Sequence, residues 1–319
     1  NTVAEINLSS ANGNVKFTPI KISSSTIDFD SSTSQSSQSF GLITLGRTTT
    51  KRTRTITEAN SYEKSSLLGV QGVTISANNG QIDLVGTQIL SPSGSVSLAA
   101  NKVNITSVKG DARTMTHSET TGLDYGKTEH NETNLELSVG SLLSAGDSIR
   151  VSGRDGVDIH SSNLQADNDI SIFAGYDQNG DLINNNASVN LTADVNRITS
   201  TSSSDERGTF VGSTDKWLSL VCSNSKSTNS KFDSGIGVSI ASGRNTVINS
   251  ANDIFAEAAS ISAKNDISLT AKGDITLTAV KESNWTETKS ASSSLGLGNV
   301  DTDLETGELS IQAGLQFEN

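Results

Sequence analysis

Across 319 residues the chain has one cysteine, two prolines and few aromatics. A lone thiol, Cys222, excludes an internal disulfide framework. A chain exported unfolded has reason to avoid thiols that cross-link early, and a single cysteine fits that route. The two prolines, Pro19 and Pro92, leave long stretches open to hydrogen-bonded ladders, because proline removes a ladder donor. At 33% hydrophobic and 4% aromatic residues, the chain falls short of the roughly 45–50% apolar usage, glycine included, of globular domains. No apolar run approaches the ~20 residues of a membrane-spanning helix, and no signal peptide opens the sequence. Asn1 in place of an initiator methionine points to a segment cut from a longer chain. Cations are scarce too, with 23 Lys and Arg against 35 Asp and Glu and a formal net charge of −12. Nucleic acid is therefore not an expected partner, since phosphate binding needs clustered Lys and Arg.

Low apolar content would ordinarily signal disorder. Here the apolar residues arrive as short pairs two positions apart, the mark of a half-buried strand. The first series runs through Val73/Ile75, Ile82/Leu84, Ile89, Val96/Leu98 and Val103/Ile105. A second runs through Ile149/Val151, Val157/Ile159, Leu164, Ile170/Ile172 and Val189/Leu191, and a third through Val247, Ile254, Ile261, Ile267/Leu269 and Ile275/Leu277. Turn punctuation separates them, as at Asn79-Gly80, Asn168-Asp169, Asn265-Asp266 and Gly273-Asp274. Strand starts about 6–9 residues apart leave no room for a crossover helix. Three such strands with their turns make a coil of roughly 20 residues, the rung of a triangular parallel β-solenoid. The expectation is an all-β, right-handed parallel β-helix whose aliphatic pairs stack from rung to rung, while Asn and Asp turns form ladders along it.

Four Ser/Thr-rich segments interrupt the rungs, over residues 30–65, 107–140, 199–236 and 280–300. Glycines fall near their middles, at Gly41/Gly46, Gly122/Gly126, Gly208/Gly212 and Gly296/Gly298, so each reads as a projecting β-hairpin arm with glycines at its bend. The chain then re-enters the coil at Ser66-Leu67-Leu68, Ser141-Leu142-Leu143 and Ser239-Ile240-Ala241. These boundaries give one elongated unit over 1–319, with approximate super-repeats 1–65, 66–140, 141–236 and 237–319.

Residues Val139-Gly-Ser-Leu-Leu-Ser-Ala-Gly-Asp-Ser-Ile, Gly156-Val-Asp-Ile-His-Ser-Ser-Asn-Leu and Lys272-Gly-Asp-Ile-Thr-Leu-Thr-Ala-Val-Lys-Glu-Ser resemble the haemagglutinin repeat of filamentous-haemagglutinin-type exoproteins. The resemblance is carried by Leu135–Asn168 and Asp266–Gly298 and extends over most of residues 65–319. It implies a two-partner secretion protein exported through an outer-membrane β-barrel transporter and displayed at the surface of a Gram-negative bacterium. It further implies an adhesin, or the stick of a contact-dependent growth-inhibition system that carries a toxin to a neighbouring cell. The partners implied are that transporter and a target-cell surface receptor or outer membrane.

The chemistry-bearing residues do not assemble into an expected active site, and no cofactor is implied. The alternative is a carbohydrate-active β-helix enzyme, a polysaccharide lyase or glycosidase, which needs two carboxylates across a cleft. Asp155, Asp158, Asp167 and Asp169 are the densest acidic group, and each falls where Asp is ordinarily a turn former or a solvent-facing residue. His117, His130 and His160 lack zinc-ligand spacing, although His117 and His130 could approach on opposite strands of one arm. Cys222 reads as a small buried residue. Asp177-Gln-Asn-Gly-Asp181 reads as a polar hairpin turn, because its glycine falls at the fourth position of a calcium loop and not the sixth. Candidate partner contacts are Trp285, inside an arm, and the basic cluster Lys51, Arg52 and Arg54. Trp217 is the second tryptophan of note. The arms look too polar to enter a membrane alone, as at Ser202-Ser-Ser-Asp-Glu-Arg207.

Overall fold

The computed structural model describes residues 5–40, 43–122, 125–177, 180–208, 218–302 and 309–318, and every regular element among them is a strand. Cys222 is placed in its strand without a described side chain, and Trp217 lies outside the described residues.

Two parallel sheets form the shaft. The six-stranded sheet stacks Ser65–Leu68, Thr87–Ser91, Leu142–Ala145, Asn163–Ala166, Ser239–Ser242 and Ser260–Ala263. Ser65 pairs with Thr87, Leu142 with Asn163 and Ser239 with Ser260, which sets one coil at 21 or 22 residues. In the 11-stranded sheet, Gly72–Val85, Ser95–Thr106 and Ile149–His160 each turn a corner midway, where the ladder register shifts. Inward positions switch there from Val73, Ile75 and Ala77 to Ile82 and Leu84. Later coils cover the same two faces with separate strands, such as Ile170–Ala174 and Val189–Thr192.

Stacking puts like on like. One interior column is Ile75, Leu98, Val151, Ile172 and Ile248, and another is Ile89, Leu143, Leu164 and Ile240. All are at most 1% exposed. Burial of each such side chain is worth about 1.5–3 kcal/mol, so a narrow aliphatic spine supplies what aromatics supply elsewhere. Ile267 departs from the expected inward role, at 49% exposed. It belongs to the last described coil, and no further coil covers it. Because Thr246 N–H donates to Asp266 O, the N–H of Ile267 points away from the neighbouring ladder.

Corners explain the re-entry motifs. A Cβ on Gly146 would lie 2.0 Å from Pro92 O, and one on Gly243 would lie 1.9 Å from Asp167 O. Only glycine lets these stacked corner backbones approach so closely. At the preceding corner, buried Ser141 Oγ accepts Thr87 N–H at 3.0 Å and donates to Thr106 O at 2.9 Å, replacing ladder bonds interrupted by an arm. Turn amides do stack: Asn168 Nδ2 donates to Asp147 Oδ1 at 2.8 Å, and Asn245 Nδ2 to Asp169 Oδ1 at 2.9 Å.

The arms are Ile20–Phe40 with Ile43–Glu63, Val108–Gly122 with Tyr125–Val139, Asp194–Gly208 with Leu218–Ile236, and Trp285–Thr302 with Leu309–Glu318. They do not project separately. Neighbouring arms pair edge to edge through Thr55↔Thr116, Thr133↔Ser200 and Thr228↔Thr288, giving one eight-stranded antiparallel sheet. In the fourth arm the expected bend glycines lie within a strand, Gly296 opposite Gly314 and Gly298 opposite Gln312. Paired along their length in this way, those two glycines do not form a bend. Gly41 and Gly212 lie outside the described residues.

Arms leave after Val15–Phe17, Ser95–Thr106, Val189–Thr192 and Ile275–Thr278, hence after every second coil. Two coils rise about 10 Å at ~4.8 Å per strand spacing, which is also the width of a two-stranded hairpin. Arms spaced this way tile without gap or overlap.

Two carboxylates fasten the arm roots. Asp194 accepts Lys109 Nζ at 2.8 Å and its neighbour Val195 N–H at 2.8 Å, with His160 Nε2 at 3.6 Å. It thus joins the second arm, the third arm and the shaft. Burial alone would push the Asp194 carboxyl up, but the Lys109 ammonium and the Val195 N–H hold it below the usual range. Asp233 lies between Arg197 Nε at 2.9 Å and Lys231 Nζ at 2.6 Å, and both cations hold its carboxyl low.

Three outcomes follow. Ile172→Ala should cost about 2–5 kcal/mol in denaturant unfolding, and Ile267→Ala far less; equal losses would contradict the stacking order. Deleting residues 66–87 removes one coil and leaves adjacent arms about 5 Å apart at the shaft. Amide exchange should then show lost protection in Ile43–Glu63 and Val108–Gly122, whereas deleting 66–141 keeps the phase and preserves protection in the remaining arms. Finally, both root carboxyls titrate below the ~3.9 of unfolded Asp. The stability they supply is complete above that value and is lost as pH falls through their lowered folded values. The melting midpoint should fall below about pH 4, and Asp194→Asn with Asp233→Asn should melt lower at pH 7 with a flatter acid limb.

Candidate functional site

The arm sheet has two chemically different faces, because side chains alternate along every strand. On one face, hydroxyls line up across seven strands: Thr26, Thr57, Thr114, Thr133, Ser200, Ser230 and Thr286 are successive cross-strand partners. The adjacent row holds Asp28, Thr55, Thr116, Asn131, Ser202, Thr228 and Thr288. Some neighbours are bonded, as Thr228 Oγ1 to Thr288 Oγ1 at 3.1 Å and Thr53 Oγ1 to Ser118 Oγ at 3.2 Å. Nearer the shaft this face turns apolar, with Leu137, Ile198 and Phe232 exposed.

The opposite face is ionic. Arg113 Nε meets Glu132 at 3.0 Å, and Arg197 bridges Glu136 at 3.8 Å and Asp233. Hydrogen bonds from Asn134 and Arg113 hold the Glu132 carboxyl below its ordinary value. His117 and His130 stand directly opposite each other on the second arm, ring centroids 6.4 Å apart.

The strand pleat splits the basic cluster. Lys51 shares the hydroxyl face with its ion-pair partner Glu129 at 3.7 Å, whereas Arg52 and Arg54 lie on the ionic face. There the Arg54 guanidinium stands 5.8 Å from the centroid of Phe29, which is 77% exposed. Trp285, 48% exposed, lies opposite Lys231 on the ionic face. Five strand steps, about 24 Å, separate its strand from that of Arg52 and Arg54. These residues share a surface but form no single cluster. The sequence reading passed over Phe29, and its place opposite Arg54 is visible only once the hairpin register is known.

The four aspartates weighed for catalysis are scattered around the shaft and engaged locally. Asp155 accepts Asn184 Nδ2 at 3.0 Å. Asp158 holds Lys102 at 2.6 Å and Asn190 at 2.7 Å, and Asp169 holds Arg244 at 3.1 Å and the Asn245 amides. Asp167 is exposed at a corner. His160 Nδ1 lies 2.9 Å from Thr192 Oγ1, which makes it part of the arm root. Asp177 and Asp181 close a hairpin turn, with Asp181 N–H donating to Asp177 Oδ1 at 2.8 Å and Asp177 N–H to Asp181 O at 2.9 Å. Positive φ at Gly180 completes it. The chemistry of these groups is that of turns, ladders and anchors.

No curated protein and no solved structure matches the chain. Residues 218–319 match a family model described as hemagglutinin repeat. The match takes in Leu218–Ile236, the last two coils and the fourth arm, and so contains the resembling segment Asp266–Gly298 but not Leu135–Asn168. This C-terminal third is therefore similar to the hemagglutinin repeat, which supports a filamentous haemagglutinin-type protein.

Proposed function

We propose that the chain is a segment of right-handed parallel β-helical shaft from a large bacterial surface exoprotein, and that its work is contact with another cell. Proteins with this repeat are typically secreted surface proteins. On this reading the parent leaves the cell through an outer-membrane β-barrel transporter of the two-partner type, and it meets a target-cell surface receptor or outer membrane.

The observation that carries the reading is the continuous arm sheet. A filament needs only its spine to extend; a broad sheet of exposed Thr, Ser and charged side chains adds area for recognition. Adhesive display is favoured over insertion into a target membrane, because a lipid-facing sheet needs an apolar band on its outer face. The rows from Thr26 to Thr286 and from Asp28 to Thr288 are polar across seven strands. Toxin delivery by the parent would then use this segment as a carrier and not as the inserting element. A β-helical polysaccharide lyase or glycosidase gains no support from aspartates held in separate ladders and turns.

The test is sedimentation of the purified chain with intact target cells and, separately, flotation with protein-free outer-membrane lipid vesicles. The chain should bind cells and not the bare vesicles. Thr55→Lys with Thr116→Lys, placing like charges in one hydroxyl row, should weaken cell binding at least tenfold while leaving shaft melting unchanged. Binding to vesicles alone, or none to any cell, would overturn the adhesive reading.

A further inference from the structure

We propose that the ionic face of the first two arms is a binding site for acidic polysaccharide, a chain of sugar rings bearing carboxylates. The inference deepens the adhesive reading by naming a ligand class, and rests on that reading only for its cellular setting.

Three neighbouring strands build the site. Phe29, Arg54 and His117 are successive cross-strand partners, and so are Ser31, Arg52 and Glu119 one pleat further out. They border a shallow cavity of about 360 Å³. Arg52, Arg54 and His117 are exposed. Among the described residues, no carboxylate lies within ion-pair distance of either guanidinium. This contrasts with the rest of the face, where Arg113 and Arg197 are bound to carboxylates. Asp30 and Glu119 border the same cavity, so the site carries no excess of charge; its two guanidinium groups are set apart by being unpaired in a chain of net charge −12. His130, opposite His117, extends the polar row, with Glu132 3.8 Å from its Nε2.

The chemistry selects the ligand. A guanidinium presents a rigid planar fork that matches a carboxylate through two parallel hydrogen bonds. A sugar ring offers an apolar C–H face suited to an exposed aromatic ring. Phe29 stands beside Arg54 at the outer limit of cation–π contact, which sets ring and charge at the separation of one substituted sugar. Arg52 lies two residues along the same strand, about 7 Å away, in line for the next carboxylate of a chain. A neutral glycan would leave both guanidinium groups unanswered, and a small inorganic anion would leave Phe29 uncovered.

The experiment measures binding of fluorescent alginate oligosaccharides, which are polyuronates, against neutral dextran oligosaccharides of equal length. Alginate should bind and dextran should not, with affinity falling at least tenfold from 50 to 500 mM salt. Arg52→Gln with Arg54→Gln should abolish binding, and Phe29→Ser should weaken it about five- to tenfold, each with unchanged melting. Arg197→Gln, a cation already held by Asp233, should leave alginate affinity unchanged. Equal binding of dextran, or no response to Phe29→Ser, would overturn the site. Alginate binding by a chain that binds no cells would leave this site standing and sink the adhesive reading. Cell binding that survives Arg52→Gln with Arg54→Gln, with alginate binding lost, would uphold the site and place cell recognition elsewhere on the sheet.

Discussion

One match of lengths governs the molecule: two coils rise about as far as one hairpin is wide, near 10 Å. Both distances come from the same backbone hydrogen bond, measured along the shaft in one case and across an arm in the other. An arm on every coil would crowd, and an arm on every third coil would leave open edges between hairpins. Long exposed strand edges invite pairing with foreign chains. Arms at every second coil instead satisfy one another's edges, and polar strands with little apolar burial gain order from ladders they make together. The alternation of bare and arm-bearing coils is thus a structural requirement of the combined sheet.

That requirement explains what could and could not be read from the residues. Inward pairs such as Val73/Ile75 and Val103/Ile105 are legible because strand periodicity is local, and these residues are fully buried. The arms are legible as interruptions of that rhythm. Their merger is not, because Thr55 meets Thr116 and Thr228 meets Thr288 across some sixty residues, and hydroxyl-rich strands carry no pattern that names a partner. Register also reshapes apparent clusters. Lys51, Arg52 and Arg54 are one patch in sequence and two in space, while Phe29, distant in sequence, becomes the neighbour of Arg54. Ile267 is exposed for a related reason: an inward position is buried only when another coil lies over it.

The two faces of the arm sheet divide its labour. Ion pairs on one face tie strand to strand, with Asp233 gripping Arg197 and Lys231 at the root. Each exposed pair is worth little, about 0–1 kcal/mol, but a buried anchor such as Asp194 joins three elements. The hydroxyl face carries fewer such ties, with Glu129 held by Lys51 and Lys127, and presents regular rows of hydroxyls. A net charge of −12 limits non-specific attraction to anionic surfaces, so cations left unpaired, as at Arg52 and Arg54, stand out against that background.

Stacking also makes the design extensible in one direction. The exposed Ile267, Ile275 and Leu277 are the surface any inner coil offers before the next covers it, and Ile20–Phe40 is the edge any inner arm offers before its neighbour pairs. Shaft and sheet grow by the same step along the same axis, so lengthening the repeat adds recognition area without altering its geometry. On the adhesive reading proposed above, weak contacts to a repeating ligand would then multiply, because the second engagement is intramolecular once the first has formed. For a surface built of hydroxyls and single ion pairs, whose individual contacts are each modest, such repetition is the physical route to firm attachment.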